Sequence, residues 1–321
     1  MLNIRRFVKG VDEPVWVEVL NAAYKEYESW WRAITVEEML LDEKRPNFDF
    51  EGRFIAELYG KPVSVVHAHV DKSREEKKGF IHSFGVIPEF RGRGVEEKLI
   101  ELAMNELEKR GMNLIQAWTD YKRNDRIQLL EKLGFQLVYK TSDMEIDLTD
   151  IPSDIGENTQ VTIRLLRKNV EEDIETLNWL SNECYREFPN HRPRTIEETR
   201  RSLFNHPQLK EHEFFFAVLD QKNVGYIGVG IDEKYNIEKN VKGGRISGIG
   251  VLKPYRRKGV GTKLMLQGLK TIKTKGMTKA MLDTEDYNPT KPIRLYEKVG
   301  FKVVQEYLTY EKRLHACTSS A

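Results

Sequence analysis

An internal repeat constrains this chain more than any other feature. Gly85-Val86-Ile87-Pro88-Glu89-Phe90-Arg91-Gly92-Arg93-Gly94-Val95 aligns with Gly250-Val251-Leu252-Lys253-Pro254-Tyr255-Arg256-Arg257-Lys258-Gly259-Val260 at an offset of 165 residues. Glu131-Lys132-Leu133-Gly134-Phe135 matches Glu297-Lys298-Val299-Gly300-Phe301 at 166. Upstream, Ile4-Arg5-Arg6 matches Ile163-Arg164-Leu165 at 159, and Thr35-Val36-Glu37-Glu38 matches Thr195-Ile196-Glu197-Glu198 at 160. The order is kept while the offset grows slowly, as small loop insertions between equivalent elements would produce. Two copies of one domain of about 150 residues are expected, over 1–148 and 161–315, joined by a linker over 149–160. The segment Asp147 to Thr159 is rich in turn formers and has no helical or alternating apolar period.

Each copy reads as a strand, two helices, several strands, a helix, a strand, a helix and two strands, with Asp147 and Thr309 on the closing strands. The expected fold class is α/β with a mixed, largely antiparallel sheet (α+β). Thr35 with Glu38, and Thr195 with Glu198, have capping-box spacing and should open the second helix of each copy. The third helices should bury Leu99, Leu102, Ala103 and Leu107, and Leu264, Met265, Leu269 and Ile272. Phe214–Leu219 and Val224–Val229 read as adjacent strands joined by the polar turn Asp220-Gln221-Lys222-Asn223.

Charge and apolar patterning exclude several classes of function. The 321 residues hold 52 Lys and Arg against 50 Asp and Glu, a formal charge of +2, so nothing global points to nucleic acid or a membrane surface. The longest apolar run, Phe214 to Leu219, is too short to cross a bilayer. Arg5, Arg6 and Lys9 interrupt any signal-peptide core. Cys184 and Cys317 cannot by themselves build a disulfide framework or a structural zinc site. The chain is expected to be reduced and cytoplasmic.

The most informative residues are Arg256, Arg257, Lys258, Gly259, Val260, Gly261 and Thr262, which follow a strand ending at Val251 and open a helix. A helix N-terminus presents unpaired N–H groups and the positive end of a dipole, a natural seat for a diphosphate. Glycines let the backbone approach phosphate oxygens, and basic neighbours add charge-assisted bonds. From Lys239 to Leu282 there are 9 Lys and 3 Arg with no acidic residue, a net of +12 in 44 residues. That one-signed field argues against reading the loop as a merely solvated basic turn.

Arg256-x-x-Gly259-x-Gly261, with Asn288, Tyr296 and Gly300-Phe301 downstream in order, resembles the Gcn5-related N-acetyltransferase (GNAT) superfamily signature. The resemblance covers both halves of the chain, and the duplicated layout is similar to tandem acetyltransferases of the mycothiol synthase type. It implies two tandem acyl-CoA N-acyltransferase folds and acetyl-CoA as donor. The cofactor's pyrophosphate would lie on the backbone of residues 257–262 and its pantetheine along Ile249 to Val251. The implied reaction is acetyl transfer to a primary amine by direct attack in a ternary complex, the acceptor being a small-molecule amine or a peptide N-terminus or lysine. The resemblance also implies that Tyr296 protonates the coenzyme A sulfur and that Asn288 contacts the cofactor. The segment Asn288-Pro289-Thr290-Lys291-Pro292 is one residue longer than the usual spacing, which displaces Asn288.

The copies are unequally equipped. In the first, the position of Gly261 is held by Glu96, whose carboxylate would compete with phosphate for the same N–H groups. The stretch Arg74 to Trp118 has 8 basic and 8 acidic residues, and Leu130 replaces Tyr296. The first copy is expected to be non-catalytic. In the second, amine attack needs a base, because an alkyl ammonium titrates near ~10. Glu285, near the strand end, is the preferred base or ammonium anchor; its alternative is a carboxylate on a solvated strand end. The alternative for Tyr296 is a packed helix aromatic.

Other candidates carry less. His67 and His69 alternate on a strand near His82 but lack carboxylate partners in the sequence, so they read as ordinary strand histidines and no metal is expected. Cys184 reads as a small buried residue. The aromatic run Tyr24 to Trp31 fits an acceptor site or an inter-domain contact, and Tyr185 to Arg194 is the better acceptor-specificity loop. Asp283, Glu285 and Asp286 favour a cationic acceptor. The expected assembly is a monomer or homodimer. The rival readings are a non-catalytic acyl-CoA-binding or regulatory module and a nucleic-acid binder, the latter without a reading surface in the sequence.

Overall fold

The computed structural model describes residues 1–26, 31–151, 160–188 and 190–314. Most of the expected linker, part of the run Tyr24 to Trp31, Pro189 and the closing Ala316 to Ala321 lie outside the described residues. The first half contains β1 (Leu2–Arg6), α1 (Glu13–Tyr24), α2 (Val36–Asp42), β2 (Arg53–Leu58), β3 (Lys61–Val70), β4 (Lys78–Val86), α3 (Val95–Lys109), β5 (Leu114–Asp120), α4 (Asn124–Lys132) and β6 (Gln136–Asp147). The second contains β7 (Thr162–Leu165), α5 (Glu171–Tyr185), α6 (Ile196–Phe204), β8 (Lys210–Leu219), β9 (Lys222–Ile231), α7 (Glu233–Lys239), β10 (Gly243–Val251), α8 (Val260–Thr274), β11 (Lys279–Glu285), α9 (Ile293–Val299) and β12 (Lys302–Arg313). Among the described residues no helix is long and apolar enough to cross a membrane.

Local chemistry explains most of these elements. In α2 and α6 the expected capping boxes form: Glu38 N donates to Thr35 Oγ1 at 3.3 Å and Thr35 N to Glu38 Oε2 at 3.0 Å. The pair Thr195 and Glu198 repeats this at 3.2 and 2.9 Å. Each box glutamate also accepts from both terminal nitrogens of an arginine, Arg32 in one copy and Arg192 in the other. The β8–β9 turn is shorter than expected, with only Asp220 and Gln221, both at positive φ, before Lys222 pairs with Leu219. Positive φ at both positions matches the strand twist, so a two-residue turn wins. Two further differences are the extra helix α7, capped by Asp232, and one long closing strand where two were expected. The apolar stripe of α3 buries Ile100 completely, whereas Leu102 is only partly covered.

Two compact units make up the chain: Met1–Thr141 with Glu306–Ala321, and Ser142–Gln305. The repeats follow the sequence, but the units exchange closing strands. In the first unit the order is β1-β2-β3-β4-β5-β12, and Tyr307–Arg313 pair antiparallel with Asp120–Leu114. Leu308 and Tyr310 are consequently part of that unit's apolar core. In the second the order is β6-β11-β10-β9-β8-β7, and Met144 and Ile146 of β6 enter its core. All pairings described are antiparallel except β4 with β5 and β10 with β11.

Tyr310 is 2% exposed, and truncating a buried large aromatic costs about 3–5 kcal/mol. Tyr310→Ala should therefore accelerate amide exchange in β5 of the first unit, far away in sequence, before it affects β11. Faster exchange in β11 with β5 unchanged would contradict the strand exchange.

Candidate active site

In the second unit the parallel pair β10 and β11 is joined only from Gly243 to Arg245 and from Lys279 to Met281. Beyond that the strands part, and β10 bulges at Ser247, where its register against β9 shifts between Ile246 and Gly248. Bulges of this kind re-aim side chains. The opening holds two cavities. One, of 730 Å³, runs along Ile249–Val251, the loop before α8 and the segment Asn288–Lys298. The other, of 280 Å³, is lined by Ser247, Asp283, Glu285 and Tyr287. Tyr185, Phe188, Ile249, Asn288 and Tyr296 line both.

The loop before α8 has the backbone expected of an anion seat. Arg257 and Gly259 adopt φ of +62° and +76°. The helical ladder begins with Lys263 N on Gly259 O at 3.0 Å, so the amides of Val260, Gly261 and Thr262 belong to the unpaired first turn. A Cβ on Gly261 would stand 3.2 Å from Leu295 Cδ2; the glycine keeps this entrance open. Val260 and Thr262 are buried, while Arg257 and Lys258 are exposed, with Lys258 Nζ 5.6 Å from the Tyr255 ring centre. Asn288 Oδ1 accepts from Thr290 N at 2.9 Å and Thr290 Oγ1 at 2.7 Å, so it shapes the turn at the rim.

Arg256, expected at the cofactor, lines the long cleft and is also bonded within the protein. Its Nε donates to Val251 O at 2.9 Å, Nη2 to Cys184 O at 3.1 Å and Nη1 to Glu187 at 2.7 Å. The guanidinium pins α5 to the end of β10. Arg91 makes the same bonds in the first unit, to Val86 O, Ala23 O and Glu26. Tyr185 adds a bond from its hydroxyl to Ile249 O at 2.9 Å, mirrored by Tyr24 on Phe84 O at 3.0 Å.

Tyr296 is 5% exposed. Burial, reinforced by Tyr185 and Asp283, drives its pKa far up and keeps the phenol protonated. Burial likewise raises Glu285, with Asp283 and Asp286 adding to the effect against a hydrogen bond from Tyr287. Cys184 is buried and its thiol is pushed up to about 12, so it is no thiolate nucleophile. Sequence reasoning missed His212. Its Nδ1 lies 2.9 Å from Ser202 O and its Nε2 2.6 Å from Ser247 Oγ. Burial pushes this imidazole down to about 4. No spacing signal marks two residues that only the register of β8, β9 and β10 brings together.

Among the described residues, the corresponding space in the first unit is small. Between Tyr24, Phe84, Trp118, Arg126 and Leu130 only 10 Å³ is open. Arg126 Nη2 donates to Phe84 O at 2.7 Å and its guanidinium sits 4.1 Å over the Phe84 ring. Glu96 is buried in the first turn of α3, and its Oε1 has no hydrogen-bond partner.

The strand histidines of this unit require a correction: they do have a carboxylate. Asp49, fully buried, brings its oxygen within 4.8 Å of ligand atoms on His67 and His69. It accepts from Arg110 at 2.8 Å, from Val70 N at 2.8 Å and from Glu51 N at 3.2 Å. Burial alone would raise the Asp49 carboxyl, but bonds from His67, Arg110 and Val70 hold it well below the usual range. The carboxylate is matched by Arg110 and anchors the chain before β2 to β3.

A family model for the acetyltransferase (GNAT) family matches residues 16–135 and 174–301. The chain belongs to that family. It is 28% identical over 134 residues to a mycothiol acetyltransferase of Thermomonospora curvata, covering 42% of this chain and 44% of that protein. It is 32% identical over 91 residues to an uncharacterized N-acetyltransferase of Methanocaldococcus jannaschii, covering 27% of this chain and 40% of that protein. The matches thus span less than half the length of these relatives. In fold it is similar to a GCN5-related N-acetyltransferase from Sphaerobacter thermophilus, with TM-score 0.74 and 18% identity over 97% of this chain and 95% of that one. It is equally similar to a tandem GNAT protein from the clavulanic acid biosynthesis pathway, at TM-score 0.74 and 13% identity over 98% of both chains.

Because the folded pKa of Glu285 lies above its unfolded value, the folded state binds this proton more tightly. Its burial then costs stability only at pH values above the ordinary glutamate range. Glu285→Gln should raise Tm at pH 7 and leave it unchanged near pH 3. A gain of equal size at both pH values in paired melts would remove ionisation as its cause.

Proposed function

We propose that the chain is an N-acetyltransferase that moves the acetyl group of acetyl-CoA to a primary amine by direct attack in a ternary complex, with its active site in the second unit. The observation that carries this reading is Tyr296, which lines both the long cleft beside the glycine loop and the smaller acidic cavity. A donor in one and an acceptor in the other would meet at its hydroxyl. The GNAT family membership supports acetyl-CoA as donor.

Each residue then has a defined task. Amides of the loop 257–262 hold the diphosphate, with Arg257 and Lys258 adding charge and Ile249 to Val251 lying beside the pantetheine. Glu285 takes a proton from the bound ammonium, which frees the nitrogen lone pair to bond to the thioester carbon. A main-chain N–H near Val251 meets the developing oxyanion. As the carbon–sulfur bond breaks, Tyr296, protonated at neutral pH, gives its proton to the leaving thiolate, and the second proton shed by the new amide nitrogen restores the phenol. Cationic acceptors fit Asp283 and Glu285. The first unit, with its opening narrowed by Trp118 and Arg126, serves as a non-catalytic support.

Calorimetry should find one acetyl-CoA per chain, and Gly261→Glu should abolish that binding by placing a carboxylate against Leu295 and the helix end; two equal sites would refute the assignment to one unit. Tyr296→Phe should lower kcat about 10²-fold with little change in the KM for acetyl-CoA. An unchanged kcat would remove Tyr296 from proton transfer.

A further inference from the structure

The buried His212 and the exposed Ser247 bonded to it are unused by this mechanism, yet Ser247 lies on the wall of the acidic cavity. A carbonyl oxygen can only accept a hydrogen bond, so the 2.9 Å contact with Ser202 O places the proton of His212 on Nδ1. Burial disfavours a second proton on the ring. Nε2 therefore carries a lone pair, and the 2.6 Å contact is a bond donated by the Ser247 hydroxyl. The hydroxyl's one proton is thus directed away from the cavity, which meets only its oxygen lone pairs.

Two features show that this arrangement is built in. Ser247 is the bulge residue of β10, which turns it out of the ladder. Its Oγ lies 2.6 Å from where a Cβ on Gly228 would stand, so the hydroxyl occupies room that only glycine on β9 leaves. In the first copy the aligned residue is His82.

We propose that Ser247, oriented by His212, is an acceptor-site residue that receives an N–H of the incoming amine and, with Asp283 and Glu285, selects a cationic primary ammonium group. This rests on the amine-acetylation reading above. A hydroxyl held as acceptor and two carboxylates, on a wall shared with Asn190, His191 and Tyr287, match the several N–H bonds of an ammonium. Ser247 binds; His212 is a positioning residue that fixes which way the hydroxyl points.

Initial rates with acetyl-CoA and phenethylamine, putrescine or glucosamine test this. In Ser247→Ala the KM for the best of these amines should rise about tenfold, as expected for losing a bond to a charged donor. The KM for acetyl-CoA should stay within about twofold. His212→Phe, which frees the hydroxyl to rotate, should raise the same amine KM by less, and the double variant should match Ser247→Ala. Nitrogen-15 spectra of the imidazole at pH 7 should show the neutral Nδ1-protonated tautomer for His212. An Nε2-protonated ring, or an unmoved amine KM in Ser247→Ala with wild-type turnover intact, overturns this inference alone. Absence of wild-type turnover with all three amines overturns the acetylation reading, and the inference falls with it.

Discussion

The early parting of β10 and β11 is the constraint on which the second unit's site depends. A sheet normally satisfies its backbone groups strand against strand, and an edge left open inside a protein is costly unless something else bonds to it. Here only three residue pairs join the two strands. Past them, side chains take over: Tyr185 on the carbonyl of Ile249 and Arg256 on that of Val251. The clasp holds β10 against α5, and the space on the side of β11 stays open. Tyr296 reaches that space from α9, and the glycine loop enters it from the end of β10.

The two units show that the opening comes with the fold, while its contents belong to each copy. Tyr24 and Arg91 repeat the clasp in the first unit. There the alignment places Trp118 opposite Asp283 and Leu130 opposite Tyr296, and the indole, with the Arg126 guanidinium stacked on Phe84, narrows the space. Filling a cavity with apolar surface stabilises a fold, whereas an empty one costs packing energy. The second unit retains two cavities and a glutamate whose ionisation burial opposes, a cost in stability that functional sites commonly carry. Charge follows the same division: +12 without an acidic residue from Lys239 to Leu282, against a balanced stretch in the first copy.

Much of the fold and part of the site were legible in the sequence because they rest on local rules. The capping boxes need only a threonine and a glutamate three apart. The glycine loop needs its glycines and the helix that follows. Tyr296 and Glu285 could be placed from the repeat and strand alternation. The clasp made by Arg256 could not: nothing in its letter marks its bonds to the carbonyls of Cys184 and Val251 and the carboxylate of Glu187. Asp49 was likewise invisible as the partner of His67, because a loop folding back on β3 joins residues with no common period.

By itself the sequence determined the duplication, the mixed α/β class, the cap residues and the asymmetry between the two loops, since each is written in residue types at short fixed separations. Tertiary structure alone decided which strand closes which unit, where β10 bulges, and that His212 turns the Ser247 hydroxyl back from the cavity. Those outcomes depend on register across several strands. A shift of one residue would turn every side chain to the opposite face, and no local pattern records which register the assembled core selects.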